Sequence, residues 1–359
     1  MLMIFWWTAL GLALWSLLAM AFMILRRLWL RRRQRRDEKR RAALKPQLFA
    51  WEEGAEPPRL SAHDRRILME LGHNLLKTIR GDDAQRLAQL LQRSGAVAEE
   101  IKLLRKGRLP DRAMAAQRLA VFAELEGEAR TALEGALDND RSLNVRLDAA
   151  RALLEAGQAP ALERILERTW HPESISIRGF QALLRQLAAS APEEIRTFLE
   201  GNHDPEADHH LLALLTDSLG HSGDLSQLPL LRALATEGGH ADIRAAAFRA
   251  LGSLGHPSAR PAVAEGLDDP SWVVRGQAII CASRIGLQEL APRIAKALAD
   301  PQWWVRLRAS QALLQLGPEG LELLRQAAGA EASQRAEESA EATDPKVLAR
   351  SVLAENGLW

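Results

Sequence analysis

The feature that most limits what this chain can become is a pattern that returns about every 31 residues. DDPSWVVRGQAIICASRIG at 268–286 and ADPQWWVRLRASQALLQLG at 299–317 align without a gap and share Asp-Pro, Trp, Val-Arg and a closing Gly. With the apolar-Arg pair as anchor, the series extends backwards through Val274-Arg275, Ile243-Arg244, Ile177-Arg178 and Val145-Arg146 from Val305-Arg306. Arg112 fits one step earlier, and Asp208-His209 fills the place of the missing pair, so the steps are 34, 32, 31, 35, 31 and 31 residues. Leu/Ala-rich amphipathic segments lie between Gly, Pro and Asp punctuation, and no stretch beyond the first 60 residues alternates with period two over a strand length. The expected fold is all-α. A period this regular predicts a solenoid, because a helix pair cannot bury its apolar face without its neighbours.

Each repeated position has a physical reading. Asp-Pro is expected to start a helix, Asp as N-cap and Pro in the first turn. The anchor and the residue four later (Val145 with Ala149, Val274 with Ala278, Val305 with Ala309) share a helix face, where alanine permits close packing. The closing glycines, Gly157, Gly220, Gly255, Gly286 and Gly317, suit a helix end that needs positive φ.

The run D-x-x-x-x-V-R-x-x-A followed by a helix ending in Gly resembles the second helix of HEAT repeats in their short, phycobilisome-lyase-type form. The resemblance covers roughly 105–330 and implies a right-handed α-solenoid of helix pairs used as a binding scaffold. It also implies a polar ladder between repeats, formed by Arg146, Arg178, Arg244, Arg275 and Arg306 with the helix-start aspartates. His209 stands where a ladder arginine is expected, so the ladder should be interrupted there. The domain plan is a transmembrane helix at 1–28, a basic juxtamembrane segment and linker at 29–60, a helical cap at 61–104, HEAT-like repeats at 105–328, and a polar segment with a capping helix at 329–359.

Residues 1–25 carry no charge, and as a helix would reach roughly 37 Å, enough to span a bilayer with some tilt. Trp6, Trp7 and Trp29 flank the run, where indoles favour the headgroup region. The positive charge follows the apolar run instead of preceding it, unlike a cleaved signal peptide. Residues 26–45 hold eleven basic side chains against Asp37 and Glu38, leaving a net −8 for the rest of a chain whose total is +1. Arg26, Arg27, Arg31, Arg32, Arg33, Arg35 and Arg36 are therefore membrane-surface candidates. By the positive-inside rule they place the N-terminus outside and the solenoid in the cytoplasm, at a plasma (inner) membrane.

Chemistry finds little footing. One cysteine, Cys281, excludes an intramolecular disulfide or a Cys-cluster zinc site, and within an apolar helical segment it is expected to be a buried thiol. Some HEAT-like proteins are di-iron hydroxylases built on His-Glu pairs, and this chain has no His-Glu pair. The histidine cluster HDPEADHH (His203, Asp204, Asp208, His209, His210) reads as a solvated loop entering a helix, so no metal or cofactor is assigned. No phosphate loop, nucleophile elbow or dinucleotide fingerprint occurs. The net negative charge of the repeats argues against nucleic acid.

Protein binding remains. Trp272 and Trp303 hold the same place in successive repeats, and Trp304 adjoins the second. Such a ladder suits inter-repeat core. Two consecutive tryptophans do not easily both point inward, however, and an exposed Trp is a typical anchor, so Trp272, Trp303 and Trp304 are the partner-binding candidates. The expected function is a non-enzymatic, membrane-anchored scaffold for membrane-associated proteins, for instance in an envelope or polysaccharide-assembly complex. The alternative is a HEAT-like lyase or enzyme accessory acting on a protein-bound chromophore or cofactor.

Overall fold

The computed structural model describes residues 2–50, 60–122, 127–171, 177–202, 208–329, 345–356 and 358, and within some helices, chiefly 2–14, it describes the backbone alone. Every regular element among the described residues is helical. The chain forms two compact units, Met1–Pro160 and Ala161–Trp359.

The first unit contains α1 (Leu2–Ala50), α2 (Ala62–Leu76), α3 (Asp82–Arg93), α4 (Ala96–Lys106), α5 (Leu109–Leu119), α6 (Gly127–Asn139) and α7 (Leu143–Glu155). Ser61 caps α2 by accepting the Asp64 N–H, and the helix packs on α3 and α4. The pair α6 and α7 packs face to face, and α7 also lies against α5. Val145 and Ala149 are fully buried on α7, as their four-residue spacing requires.

The second unit contains α8 (Leu162–Thr169), α9 (Ile177–Ser190), α10 (Pro192–Gly201), α11 (His209–Leu219), α12 (Leu228–Glu237), α13 (Ala241–Leu254), α14 (Arg260–Gly266), α15 (Trp272–Ile285), α16 (Ala291–Lys296), α17 (Trp303–Gln315), α18 (Pro318–Ala328) and α19 (Pro345–Glu355). The helices that carry the anchors stack in a row, α9 on α11, α11 on α13, α13 on α15 and α15 on α17, while α12, α14 and α16 pack beside their own partners. Val274, Ala278, Val305 and Ala309 are fully buried in this row, as is Cys281. Burial pushes the Cys281 thiol up to about 12.

Three details differ from expectation. The aspartates of the repeat are not N-caps: α15 and α17 begin three residues after Asp269 and Asp300, with Ser271 and Gln302 in the cap place. Each aspartate instead accepts the N–H two residues on, at 2.8 Å, and shapes the turn before the helix. Gly157, Gly255, Gly286 and Gly317 have positive φ, but Gly220 has φ −63. What Gly220 supplies is space, since a Cβ there would sit 2.4 Å from the Ala250 Cα, where α11 meets α13.

The third concerns the N-terminal segments. The span expected at 1–28 is not a separate helix but the first part of α1, which continues through the arginine-rich stretch and past Pro46 to Ala50. Pro46 and Ala42, whose carbonyl loses its helical donor, are both exposed, so water can satisfy that carbonyl and the helix survives one further turn. Of the linker expected up to residue 60, the part as far as Ala50 is helical, and 51–59 lie outside the described residues, as do 330–344 of the polar segment. Among the described residues, no helix is long and apolar enough to cross a membrane.

Candidate functional site

The anchor arginines do two jobs at once. Arg275 donates from Nη1 to the carbonyls of Asp269 and Pro270 in its own turn, and from Nε and Nη2 to Asp300 of the next repeat at 2.7 and 2.9 Å. Arg244 repeats the arrangement, with Gly238 and Gly239 carbonyls behind it and Asp269 ahead at 2.8 and 3.0 Å. Arg112 binds the Gly107 carbonyl and Asp140 in the first unit. Arg306 holds the carbonyls of Asp300 and Pro301. Burial pushes the Asp269 and Asp300 carboxyls up, but their arginine hydrogen bonds, a backbone N–H and the neighbouring guanidinium charge outweigh it and hold both below the usual carboxylate value. Arg244 and Arg275 are raised in turn by those same hydrogen bonds.

Arg146 and Arg178 are placed differently. Arg146 Nε is buried without a hydrogen-bond partner, and His171 occupies the place of the acceptor aspartate. Arg178 is exposed, and the turn ahead of it, 203–207, lies outside the described residues.

At His209 both halves of a rung are replaced together. The position six residues before Arg244, where Asp269 and Asp300 stand in later repeats, is Gly238. The His209 ring instead packs on His240 and His210, with centroids 3.8 and 4.3 Å away. Asp242 Oδ2 lies 3.5, 3.7 and 3.9 Å from ring nitrogens of His240, His210 and His209. Asp208 caps α11 through the N–H groups of His210 and Leu211, and Trp170 Nε1 donates to its other oxygen at 2.9 Å. This turn borders a cleft of about 710 Å³ lined by His209, His240, Glu237 and Leu199. Sequence reasoning saw His209 and His210 but not their partners at the start of α13. The available signal was distance, since Asp242 follows His210 by 32 residues, about one repeat.

The three candidate tryptophans come together. Trp272 and Trp304 are 43% and 53% exposed and face one groove of about 240 Å³, floored by Gly276 and Ile280 and edged by Arg308. Trp303 is half-buried and meets the Trp304 ring edge to face at 4.6 Å. The neighbouring indole thus braces Trp304 in its exposed position.

Residues 193–281 and 261–343 match the family of HEAT repeats. HEAT-like repeats therefore occupy most of the second unit, where the arginine–aspartate rungs of Arg244 and Arg275 lie. None of the curated proteins matches the sequence. Among solved structures, the CpcE–CpcF complex of phycocyanin lyase from Nostoc sp. PCC7120 is 20% identical, with 73% of this chain and 94% of that chain covered and a TM-score of 0.31. Human deoxyhypusine hydroxylase is 18% identical over 82% of this chain and 97% of that one, with a TM-score of 0.30. The karyopherin Kap121p is 14% identical over 88% of this chain and 39% of its own, with a TM-score of 0.42.

The membrane-surface candidates lie upstream of the HEAT-like repeats, on α1. Arg26, Arg27, Arg31, Arg32, Arg35 and Arg36 are all exposed, and the Arg33 side chain lies outside the described ones. The described side chains before them include exposed Trp15, Phe22, Met23 and Leu25, and Trp29 follows Arg27 on the same exposed stretch. Further along the helix, Asp37, Arg40 and Arg41 pair with His63, Asp64 and Glu70 of the α2 segment.

Proposed function

We propose that this protein is a membrane-anchored scaffold without catalytic activity of its own, holding a membrane-associated protein partner against its HEAT-like repeats. The observation that carries the binding half is the groove between Trp272 and Trp304, two exposed indoles from successive repeats facing one cleft. Large aromatic side chains that remain exposed in the free protein give most per residue when a partner covers them.

The anchoring half rests on residues 1–28. Exposed apolar side chains over 15–29 are costly in water, and the exposed arginines that follow suit anionic headgroups at about 1 kcal/mol each. On this reading the span puts the N-terminus outside and the repeats in the cytoplasm, at a plasma (inner) membrane.

The test is crosslinking in intact cells, comparing the native chain with a Trp272→Ala, Trp304→Ala variant and with a chain lacking residues 1–28. A defined set of membrane proteins trapped by the native chain and lost in both variants supports the scaffold. Equal trapping by the double variant removes the groove, and retention of the shortened chain in carbonate-washed membranes removes the anchor.

A further inference from the structure

We propose that His209, His210 and Asp242 form a binding site for one zinc-class divalent ion, which clasps α11 to α13 where the arginine–aspartate rung is missing. Two imidazoles and a carboxylate suit zinc and its first-row neighbours, not magnesium or calcium, which prefer all-oxygen sets. One ligand atom from each residue lies within 4.8 Å of the others. The distances from Asp242 Oδ2, 3.7 Å to His210 Nδ1 and 3.9 Å to His209 Nε2, can be compared with a tetrahedral site. With metal–ligand bonds of about 2.0–2.1 Å, ligand atoms stand roughly 3.3–3.4 Å apart. The carboxylate therefore needs to close on each imidazole by only about half an ångström, and the two imidazole nitrogens, within 4.8 Å of each other, by at most about 1.5 Å, within the reach of rotations of these half-exposed side chains.

The surroundings are built to hold this geometry. Asp208 fixes the first turn of α11 by accepting two backbone N–H groups, and is itself held by the Trp170 indole. His240 Nδ1 accepts the Asp242 N–H and packs its ring on His209, so it orients both a carboxylate and an imidazole ligand without supplying a ligand atom from that nitrogen. His209 borders the 710 Å³ cleft, and the exposed His210 and half-exposed Asp242 leave solvent access for a water as the fourth ligand of a three-residue site.

The location gives the site a structural purpose. Between α13 and α15, and between α15 and α17, successive repeats are joined by Arg244–Asp269 and Arg275–Asp300. Between α11 and α13 the arginine is His209 and the aspartate is Gly238. An ion held by His209 and His210 on α11 and Asp242 on α13 adds a link at the helix starts to the Arg249–Asp217 pair that already joins the two helices further along.

The test uses the full-length chain in detergent and zinc alone, titrated against a chromophoric chelator, with cobalt as a spectroscopic substitute. The expected result is one zinc per chain, tetrahedral cobalt bands, and at least a tenfold loss of affinity in both Asp242→Asn and His210→Asn. His221→Asn, a histidine outside the cluster, should leave affinity unchanged. Zinc should raise the melting temperature of the native chain and not of the two variants. Far-UV circular dichroism separates ligand loss from unfolding. Binding that is absent, or unaffected by Asp242→Asn and His210→Asn in folded protein, overturns the site. Zinc bound at these residues without a rise in melting temperature overturns the clasp.

Discussion

Arg275 and Asp300 meet across successive repeats through two hydrogen bonds of 2.7 and 2.9 Å, while the same Asp300 carboxylate accepts the Gln302 N–H at 2.8 Å. One carboxylate thus shapes its own turn and receives the arginine of the repeat before it. Both partners are largely buried, so the interaction is less screened than a surface ion pair.

Removing one partner should therefore cost more than an exposed salt bridge is worth. Asp300→Ala is expected to lower stability by about 2–3 kcal/mol, because it strands the guanidinium and frees a turn N–H. Arg275→Met combined with Asp300→Leu should cost less than the sum of the two single changes. Urea unfolding of the native chain, Asp300→Ala, the two other single variants and the double variant measures both. Because Asp269 and Asp300 titrate below the ordinary carboxylate value, their contribution is present above the unfolded value of 3.8 and is lost as the pH falls through the lower folded values.

His73 should make the first unit acid-sensitive in a different window. Burial, then the nearby Lys77 and Arg118 charges, lower its imidazole from 6.5 to about 4, and its Nδ1 is buried without a hydrogen-bond partner. The unfolded chain takes up the proton first. Stability is complete above pH 6.5 and falls between 6.5 and about 4, by on the order of 3 kcal/mol in all. His73→Leu should flatten that part of the profile in denaturant melts, and an unchanged slope would refute the assignment.

Two glycines should respond to alanine for different reasons. Gly220→Ala places a methyl 2.4 Å from the Ala250 Cα, and backbone cannot move aside as a side chain can. A loss of about 1–3 kcal/mol is expected from the forced separation of α11 and α13. At Gly255, with φ 68 and nothing within 4 Å of the place a methyl would take, the cost is conformational and nearer about 1 kcal/mol. Thermal melts of both variants rank them.

Cys281 should be inert in the native protein. It is buried on α15 with its thiol raised to about 12, so thiolate at pH 8 is scarce and poorly accessible. Alkylation followed by mass spectrometry should show modification only under unfolding conditions. Rapid labelling of folded protein would contradict the packing of α15.

The repeat was legible because its signals are local. Val274 with Ala278 and Val305 with Ala309 announce a buried helix face in four residues, and Arg275 and Arg306 mark its start. Helix starts were less legible, since an aspartate before proline satisfies an N–H equally well as a cap or as a turn residue two positions earlier. Gly220 was misread because sequence does not distinguish a glycine needed for its φ from one needed for its missing Cβ. The His209–Asp242 association was hidden for another reason: the repeat period brings together residues about 32 positions apart, and only the turn geometry decides which of them meet.

Trp29 and Asp37, which pairs with His63, are eight positions apart, about 12 Å along one unbroken helix. Whatever surface receives the exposed apolar side chains of α1 is thus joined to α2 by a stiff spacer and not by a leash. A leash sets only how often a tethered domain visits its target. A spacer of this kind also sets the height and heading at which it arrives, so inserting one residue into α1 between Trp29 and Asp37 would turn everything beyond it by about 100°.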